Sequence, residues 1–447
     1  MHKFLIMSMV CIAGCASTTV VDEMSPREYG STPELVAPEQ RVLPVVRPAK
    51  AVGFGAAGIP VAAAGWRVNR FAENLQHPRW MLELPNGDVL VAETDSPEGS
   101  GGFSGLQGAL AKAVMRYAGS GLGSPDRIVL LRDQNGDGRA DLQKVLLTDL
   151  HSPFGMAFLN GYLYVANTDS LVRFPYDLGA ESIDAPVEIL APLPALPLNH
   201  HWTKSLVADS AGKFLYIGVG SNSNVGENGI AVEYQRAAIL RYELETQVLD
   251  VFADGLRNPV GLAWHPDTDI LWTVVNERDE LGDQLVPDYL TAVNLGDFFG
   301  WPAWYMGQRR DPRVGDEWLA HRSEVVQIPD YAVGAHTASL GLDFYDQPHP
   351  TLKGAAIIGQ HGSWNRSQYA GYQVIAVPFV DGQPAGAPET VLSGFIGESG
   401  QALGRPVGVD VLSDGAILVA DDVANVIWRL APSVGCLDNV GFECDSQ

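Results

Sequence analysis

Positive charge is scarce in this 447-residue chain: 29 Lys and Arg stand against 53 Asp and Glu, a formal net charge of −24. Nucleic acid needs clustered Lys and Arg along its phosphates, so it is excluded as a partner. Cysteine is scarce too, with four residues at 11, 15, 436 and 444 and no CxxC, CxxCH or Cys/His zinc spacing. Structural zinc and covalently attached haem drop out with those motifs. The apolar run from Phe4 to Ile12 is too short for an ordinary membrane-spanning helix. Apolar residues still make up 46% of the chain, enough to bury a large core.

The first residues combine a positive start, that apolar run and small residues before Cys15, the pattern of an export signal. Ile12-Ala13-Gly14-Cys15 resembles the bacterial lipobox, which implies cleavage after residue 14 and a lipid on the Cys15 thiol; an ordinary signal peptide is the alternative. A periplasmic, lipid-anchored protein is expected, and the absence of Asp at position 16 favours the outer membrane. Residues 15–65, rich in Pro, Ala, Val and Ser without a period of 3.6 or 2, read as a flexible tether. Cys436 and Cys444 fall in a C-terminal tail, 434–447, as a small disulfide loop or as two thiols.

From Trp66 the texture changes to short apolar runs broken by Asn-Gly, Asp-Gly and Pro turns, an all-β signature. A unit recurs six times, starting at His77, Ser152, His201, Asn258, Ala338 and Arg405: a polar loop, an apolar strand, a turn, a second strand and a second polar loop. Further strand pairs lie between the units. The expectation for 66–433 is an all-β, six-bladed β-propeller of four-stranded antiparallel blades, with Trp66–Phe71 closing the ring beside Val426–Leu430. Leu106–Ala118 has helical composition and reads as a surface insertion.

In such a ring, the loop entering each inner strand and the loop leaving its neighbour open on one face. The entering loops carry His77, His151, His200, His201, Arg257, Asn258, His336 and Arg405, including five of the ten histidines. The leaving loops carry Glu93–Asp95, Asn167–Asp169, Ser221–Asn224, Asn276–Asp279, His361–Arg366 and Asp421-Asp422. A mouth this rich in His and Arg, on so acidic a protein, points to an anionic ligand. Trp364 beside Arg366 suits a flat aromatic one. Asp133, Asn135, Asp137 and Asp141, with Gly136 and Gly138, fit the start of an EF-hand-like calcium loop, but Lys144 stands where a bidentate acid belongs. A plain hairpin turn is the alternative.

The stretches HWTKSL (201–206), LRNPVGLAW (256–264), NERDELGD (276–283) leading to FGWP (299–302), HTASLGLDFY (336–345), QHGSWNR (360–366) and GRPVGV…VADD (404–422) carry a family likeness. From about Trp66 to Leu430 the chain resembles the pyrroloquinoline quinone (PQQ)-dependent sugar dehydrogenases, most closely the L-sorbosone dehydrogenase-like branch. The resemblance implies an oxidoreductase acting on a sugar, polyol or aldehyde hydrate, with PQQ and calcium as cofactors. It places the proton acceptor at His201, with Arg257 meeting a quinone carboxylate or orienting the substrate. It implies cofactor contacts from His151, Lys204, His336, Trp364, Arg366, Arg405 and Asp421, and calcium on the backbone carbonyls of Glu277, Arg278 and Asp279. Without a haem site, electrons pass to a separate acceptor such as a cytochrome or quinone. Two readings stand against it: a calcium-dependent lactonase or other hydrolase, with Glu93, Asn167 and Asp421 converging on one metal, and a non-enzymatic ligand-binding propeller.

Overall fold

Successive side chains of a strand point to opposite faces, so a strand apolar at every position can bury both faces only between two other sheets. Tyr162–Ala166 shows this directly: Leu163 and Val165 join the cluster on one side of their sheet, Tyr164 and Ala166 the cluster on the other. The computed structural model describes residues 27–41, 44–97, 100, 112–121, 123–195, 198–318 and 325–433. These form six antiparallel sheets arranged as the blades of a propeller, each following the chain from the axis outward. Blade 1 runs from Pro78–Glu83 to Leu142–Leu147, blade 2 from Met156–Leu159 to Glu188–Pro192, and blade 3 from Lys204–Ala208 to Val248–Asp254. Blade 4 runs from Pro259–Trp264 to Tyr331–Ala335, and blade 5 from Ser339–Phe344 to Glu389–Ser393. Blade 6 takes three strands from Pro406–Val411 to Val426–Pro432, and Trp66–Ala72 supplies the fourth, pairing Trp66 with Pro432 and Val68 with Leu430. N-terminal and C-terminal chain ends thus lock one another, as expected.

Six apolar clusters fill the six gaps between neighbouring blades. Each fully buried Val, Leu or Ile in them contributes about 1.5–3 kcal/mol. Close approach at the axis explains two glycines. A Cβ on Gly261 would sit 2.5 Å from the Leu342 Cβ, and one on Gly341 would sit 2.3 Å from the Val407 carbonyl oxygen. Both belong to inner strands, where only hydrogen leaves room for the next blade.

Residues 15–65 depart from the tether expectation wherever they are described. Tyr29–Gly30 adds an outer strand to blade 4 and Val61–Ala62 one to blade 5. Between them the chain crosses the mouth loops: Glu39 N–H donates to the Leu281 carbonyl, Arg47 N–H to the Trp364 carbonyl, and Ala49 is wholly buried. Two sheet edges with unpaired backbone groups explain the docking; they accept an extended segment whatever its side-chain period. The signal segment, Cys436, Cys444 and residues 106–111 of the insertion lie outside the described residues, while 112–117 are helical.

Candidate active site at the propeller mouth

Inner strands begin with a register shift in four blades, at Pro78/Trp80, Pro259/Gly261, Ser339/Gly341 and Pro406/Val409. Bulges turn side chains away from the ladder, and these stand where the entering loops deliver their polar residues. The side chains at the mouth fall into two groups.

The first belongs to blades 3 and 4. His201 places its Nδ1 2.8 Å from the Ser221 carbonyl oxygen. A carbonyl only accepts, so Nδ1 carries the proton and Nε2 keeps the lone pair. Burial, followed by the nearby Arg257 charge, holds the ring well below the usual histidine range, so it is neutral at neutral pH. Gly220 makes room for it: a Cβ there would lie 2.4 Å from the His201 Cβ and 2.2 Å from the Asn258 Oδ1. That Asn258 oxygen is buried without a partner. Lys204, fully buried, donates to the Trp202 carbonyl at 3.2 Å, and burial pushes its amine well below the ordinary lysine value.

Arg257 is buried and held by acceptors on three sides, donating to the carbonyls of Asn224 (3.2 Å), Asn276 (3.1 Å) and Glu277 (2.8 Å) and to Asn224 Oδ1 (2.9 Å). It therefore braces the acidic loop of blade 4. Arg313 donates to the Asp279 carbonyl at 2.7 Å. Arg278 turns under the loop, bonding Glu277, Asp311 and the carbonyls of Pro302 and Trp304. The carbonyls of Glu277 and Asp279, expected to face calcium, thus already accept guanidinium protons. His336 bonds the Asp279 carboxylate at 3.2 Å and the Gly282 carbonyl at 2.9 Å. Burial works against its charge, but Asp279 outweighs it and the ring is raised above the usual range.

The second group, on blades 5, 6 and 1, centres on Asp422. Its Oδ2 meets Arg79 at 2.5 Å and His361 Nε2 at 2.9 Å, with His77 Nε2 at 3.8 Å. Burial alone would raise the Asp422 carboxyl, yet His361 and Arg79 hold it below the carboxylate range. Burial lowers His361 to about 4 despite that carboxylate, so it donates as a neutral ring. Arg405 lies over the Tyr372 ring with its Cζ 5.5 Å from the centroid. The Nε of Arg79, the Nε of Arg405, the Nε2 of His77 and the Oδ1 of Asp422 are buried without a hydrogen-bond partner. Buried polar atoms left without a hydrogen-bond partner call for one, and a polar ligand can supply it.

Several expected contacts stand elsewhere. Asp421 is wholly buried, accepting from the backbone of Arg405, Val423 and Ala424 and from Trp428 Nε1; it organises a turn, and its neighbour Asp422 faces the cationic cluster. Arg366 points to Glu28 (3.2 Å) and the Ala335 carbonyl (3.1 Å), tying down the N-terminal segment. Trp364 is 44% exposed, its carbonyl taken by Arg47. His151 is half-exposed and pairs with Asp169 at 2.7 Å beside a cleft of about 630 Å³ along blades 1 and 2. Glu93 serves Arg127 and the Gln76 amide, and Asn167 serves His151 N–H and Ser170, so the hydrolase metal trio does not form. Asp133, Asn135, Asp137 and Asp141 bond the backbone and side chains of their own hairpin turn. Among the described residues, no three His, Cys, Asp or Glu side chains are grouped to hold a metal ion. Sequence reasoning placed His77, His361 and Asp422 on the mouth loops but gave them no role, and it missed Arg79. Their signal was ring closure, which sets the loops of blades 6 and 1 side by side.

The profile of the TrAA12-like family matches residues 127–294 and 288–433, more than half of the chain. The chain belongs to the TrAA12-like family. A protein of Borreliella burgdorferi, described as uncharacterized, is 29% identical to this TrAA12-like chain over 295 residues, 63% of this chain and 76% of the relative. Among solved structures, a calcium structure of Trichoderma reesei Carbohydrate-Active Enzymes family AA12 is 20% identical, with a TM-score of 0.66 over 88% of this chain and 99% of the other. The holo form of the pyranose dehydrogenase PQQ domain from Coprinopsis cinerea is 18% identical, with a TM-score of 0.66 over 83% and 97%. At these identities the solved structures establish the fold.

Proposed function

We propose that this protein is a PQQ-dependent dehydrogenase that oxidises the hydroxyl-bearing carbon of a sugar, polyol or aldehyde hydrate. The observation that carries the reading is His201, a neutral imidazole at the mouth whose Nδ1–H is committed to a backbone carbonyl, leaving the Nε2 lone pair for a substrate proton. The family and the PQQ-containing relative support it. Arg79, Arg405 and His77 would hold the cofactor's polar periphery: their Nε, Nε and Nε2 nitrogens, like Asn258 Oδ1, are buried without a hydrogen-bond partner. When bound, PQQ supplies the two-electron oxidant. His201 Nε2 would take the hydroxyl proton as the hydrogen of the C–H bond leaves the substrate with its electron pair, as hydride. The fixed guanidinium of Arg257 favours a neutral His201 before the reaction. Burial of the mouth loops limits water around the transferring proton.

Calcium belongs to the proposal through the calcium structure of the Trichoderma relative. The loop carbonyls do not fit a cation as they stand, because Arg257 and Arg313 occupy those of Glu277 and Asp279. No step is assigned to the ion. Titrating the full chain with calcium while following tryptophan fluorescence tests whether it binds with PQQ absent.

The sorbosone-like branch, a periplasmic site with a lipid on Cys15, and a separate cytochrome or quinone as electron acceptor complete the proposal, resting on the sequence. The decisive assay mixes purified protein, PQQ and a redox dye with a panel of sugars and polyols. Sugar-dependent dye reduction that requires PQQ is expected. Saturable PQQ uptake with no turnover on any hydroxyl substrate would overturn the enzymatic reading in favour of a ligand-binding propeller.

A further inference from the structure

His201 and Glu233 do not touch, yet they hold opposite ends of one peptide group. The Ser221 carbonyl accepts from His201 Nδ1 at 2.8 Å, and the amide of the same peptide, Asn222 N–H, donates to Glu233 Oε2 at 2.7 Å. Glu233 is 8% exposed, and its other oxygen accepts from Ser223 Oγ at 2.7 Å. The peptide has no freedom to turn. Asn222 Nδ2 donates to the Leu198 carbonyl at 2.5 Å, Asn228 Nδ2 donates to Asn222 Oδ1 at 2.7 Å, and Ser221 N–H donates to the Arg257 carbonyl at 2.7 Å. Ser221 Oγ donates to the Ser223 carbonyl at 2.6 Å, so toward His201 Nδ1, 3.0 Å away, it presents a lone pair. Both contacts therefore demand the same Nδ1–H tautomer.

We propose that Glu233 is a positioning residue for His201, acting through the peptide bond between Ser221 and Asn222. A carboxylate at the amide end polarises the peptide, makes the Ser221 carbonyl a stronger acceptor, and so raises the basicity of the ring at Nε2. The inference rests on the reading of His201 as the proton acceptor. His336 shows why the peptide is interposed. There a carboxylate lies directly on Nδ1 and the ring is raised above the usual range. A ring held by a carboxylate in this way is shifted towards its protonated form. With a peptide between, His201 is oriented and electronically assisted while remaining lowered and neutral. The charged and titratable groups facing the pair are Arg257, His200 and Arg236 around His201, and Arg236 and Glu227 around Glu233.

The test reads the ring directly, with PQQ absent, in full-length protein labelled with ¹⁵N-histidine and assigned through His201→Gln. Wild type should show the Nδ1–H tautomer with a strongly downfield proton. Glu233→Gln should move that proton upfield, Glu233→Asp should restore most of the shift, and Ser223→Ala should leave it in place. With PQQ supplied, Glu233→Gln should lower kcat about tenfold and carry the acid limb of kcat/KM to lower pH. A folded Glu233→Gln protein with an unmoved Nδ1 proton, or an Nε2–H tautomer in wild type, would overturn the proposal. Should Glu233→Gln not fold, Glu233→Ala takes its place, with the same upfield movement of the Nδ1 proton expected and an unmoved proton overturning the proposal. A shifted proton in a protein that oxidises no sugar would strike the dehydrogenase reading and leave this relay standing.

Discussion

At the scale of the residue, function turns on which nitrogen of His201 is free. The ring is lowered by burial first and by Arg257 second, so it remains an active base to well below the ordinary histidine range. The acid limb of a pH profile of kcat/KM should accordingly lie below pH ~6.5, the unperturbed histidine value, and replacing Arg257 with Gln should move it upward. Histidine at a strand head was legible in the sequence because residue type and loop position were both readable. Orientation was not. Asp421 and Asp422 are indistinguishable as neighbours in a chain, yet the first faces its own turn and the second faces Arg79 and His361. Only the alternation of the strand end, together with ring closure, separates them. Arg366 was misplaced for a related reason: its partner, Glu28, lies far away in a segment with no readable period.

At the scale of the element, the N-terminal segment is the main revision. Pro- and Ala-rich sequence without periodicity reads as a tether, but strand addition uses backbone groups that side-chain patterns do not report. The buried Glu28–Arg366 pair ties this segment to the loop that carries Trp364. Glu28→Ala would leave a buried guanidinium with fewer acceptors, at a cost of about 3 kcal/mol. Urea unfolding of the variant against wild type checks this, and an unchanged midpoint would mean that the segment is not held by the pair. In the acidic loop of blade 4, whose backbone was expected to hold calcium, the carbonyls of Glu277 and Asp279 accept from Arg257 and Arg313.

At the scale of the whole molecule, the ring was the most legible feature, since six repeats with two strands each leave few other ways to bury both faces of every sheet. Far less visible was the buried acid pair where blades 5 and 6 meet blade 1. Asp343 accepts from the Val411 amide at 2.7 Å and Asp410 from the Glu83 amide at 2.9 Å, and burial raises both carboxyls, Asp343 to about 7. A raised carboxyl favours the folded state fully only below its unfolded pKa, and that contribution is lost as pH climbs through the folded value. Stability should therefore decline between about pH 4 and pH 7 from Asp343, with Asp410 acting in the same direction. Asp410→Asn, whose carboxamide oxygen can still accept from the Glu83 amide, should flatten the decline, as read from denaturant midpoints across about pH 4 to pH 8.

The account as a whole stands on proton removal by His201 at a PQQ-loaded mouth. Its most direct test is a stopped-flow single turnover, in which protein reconstituted with PQQ is mixed with a sugar substrate and cofactor reduction is followed by absorbance. Wild type should reduce the cofactor in one fast phase, and His201→Ala should slow that phase about 10²- to 10⁴-fold with PQQ affinity unchanged. Equal rates for the two proteins would contradict the account.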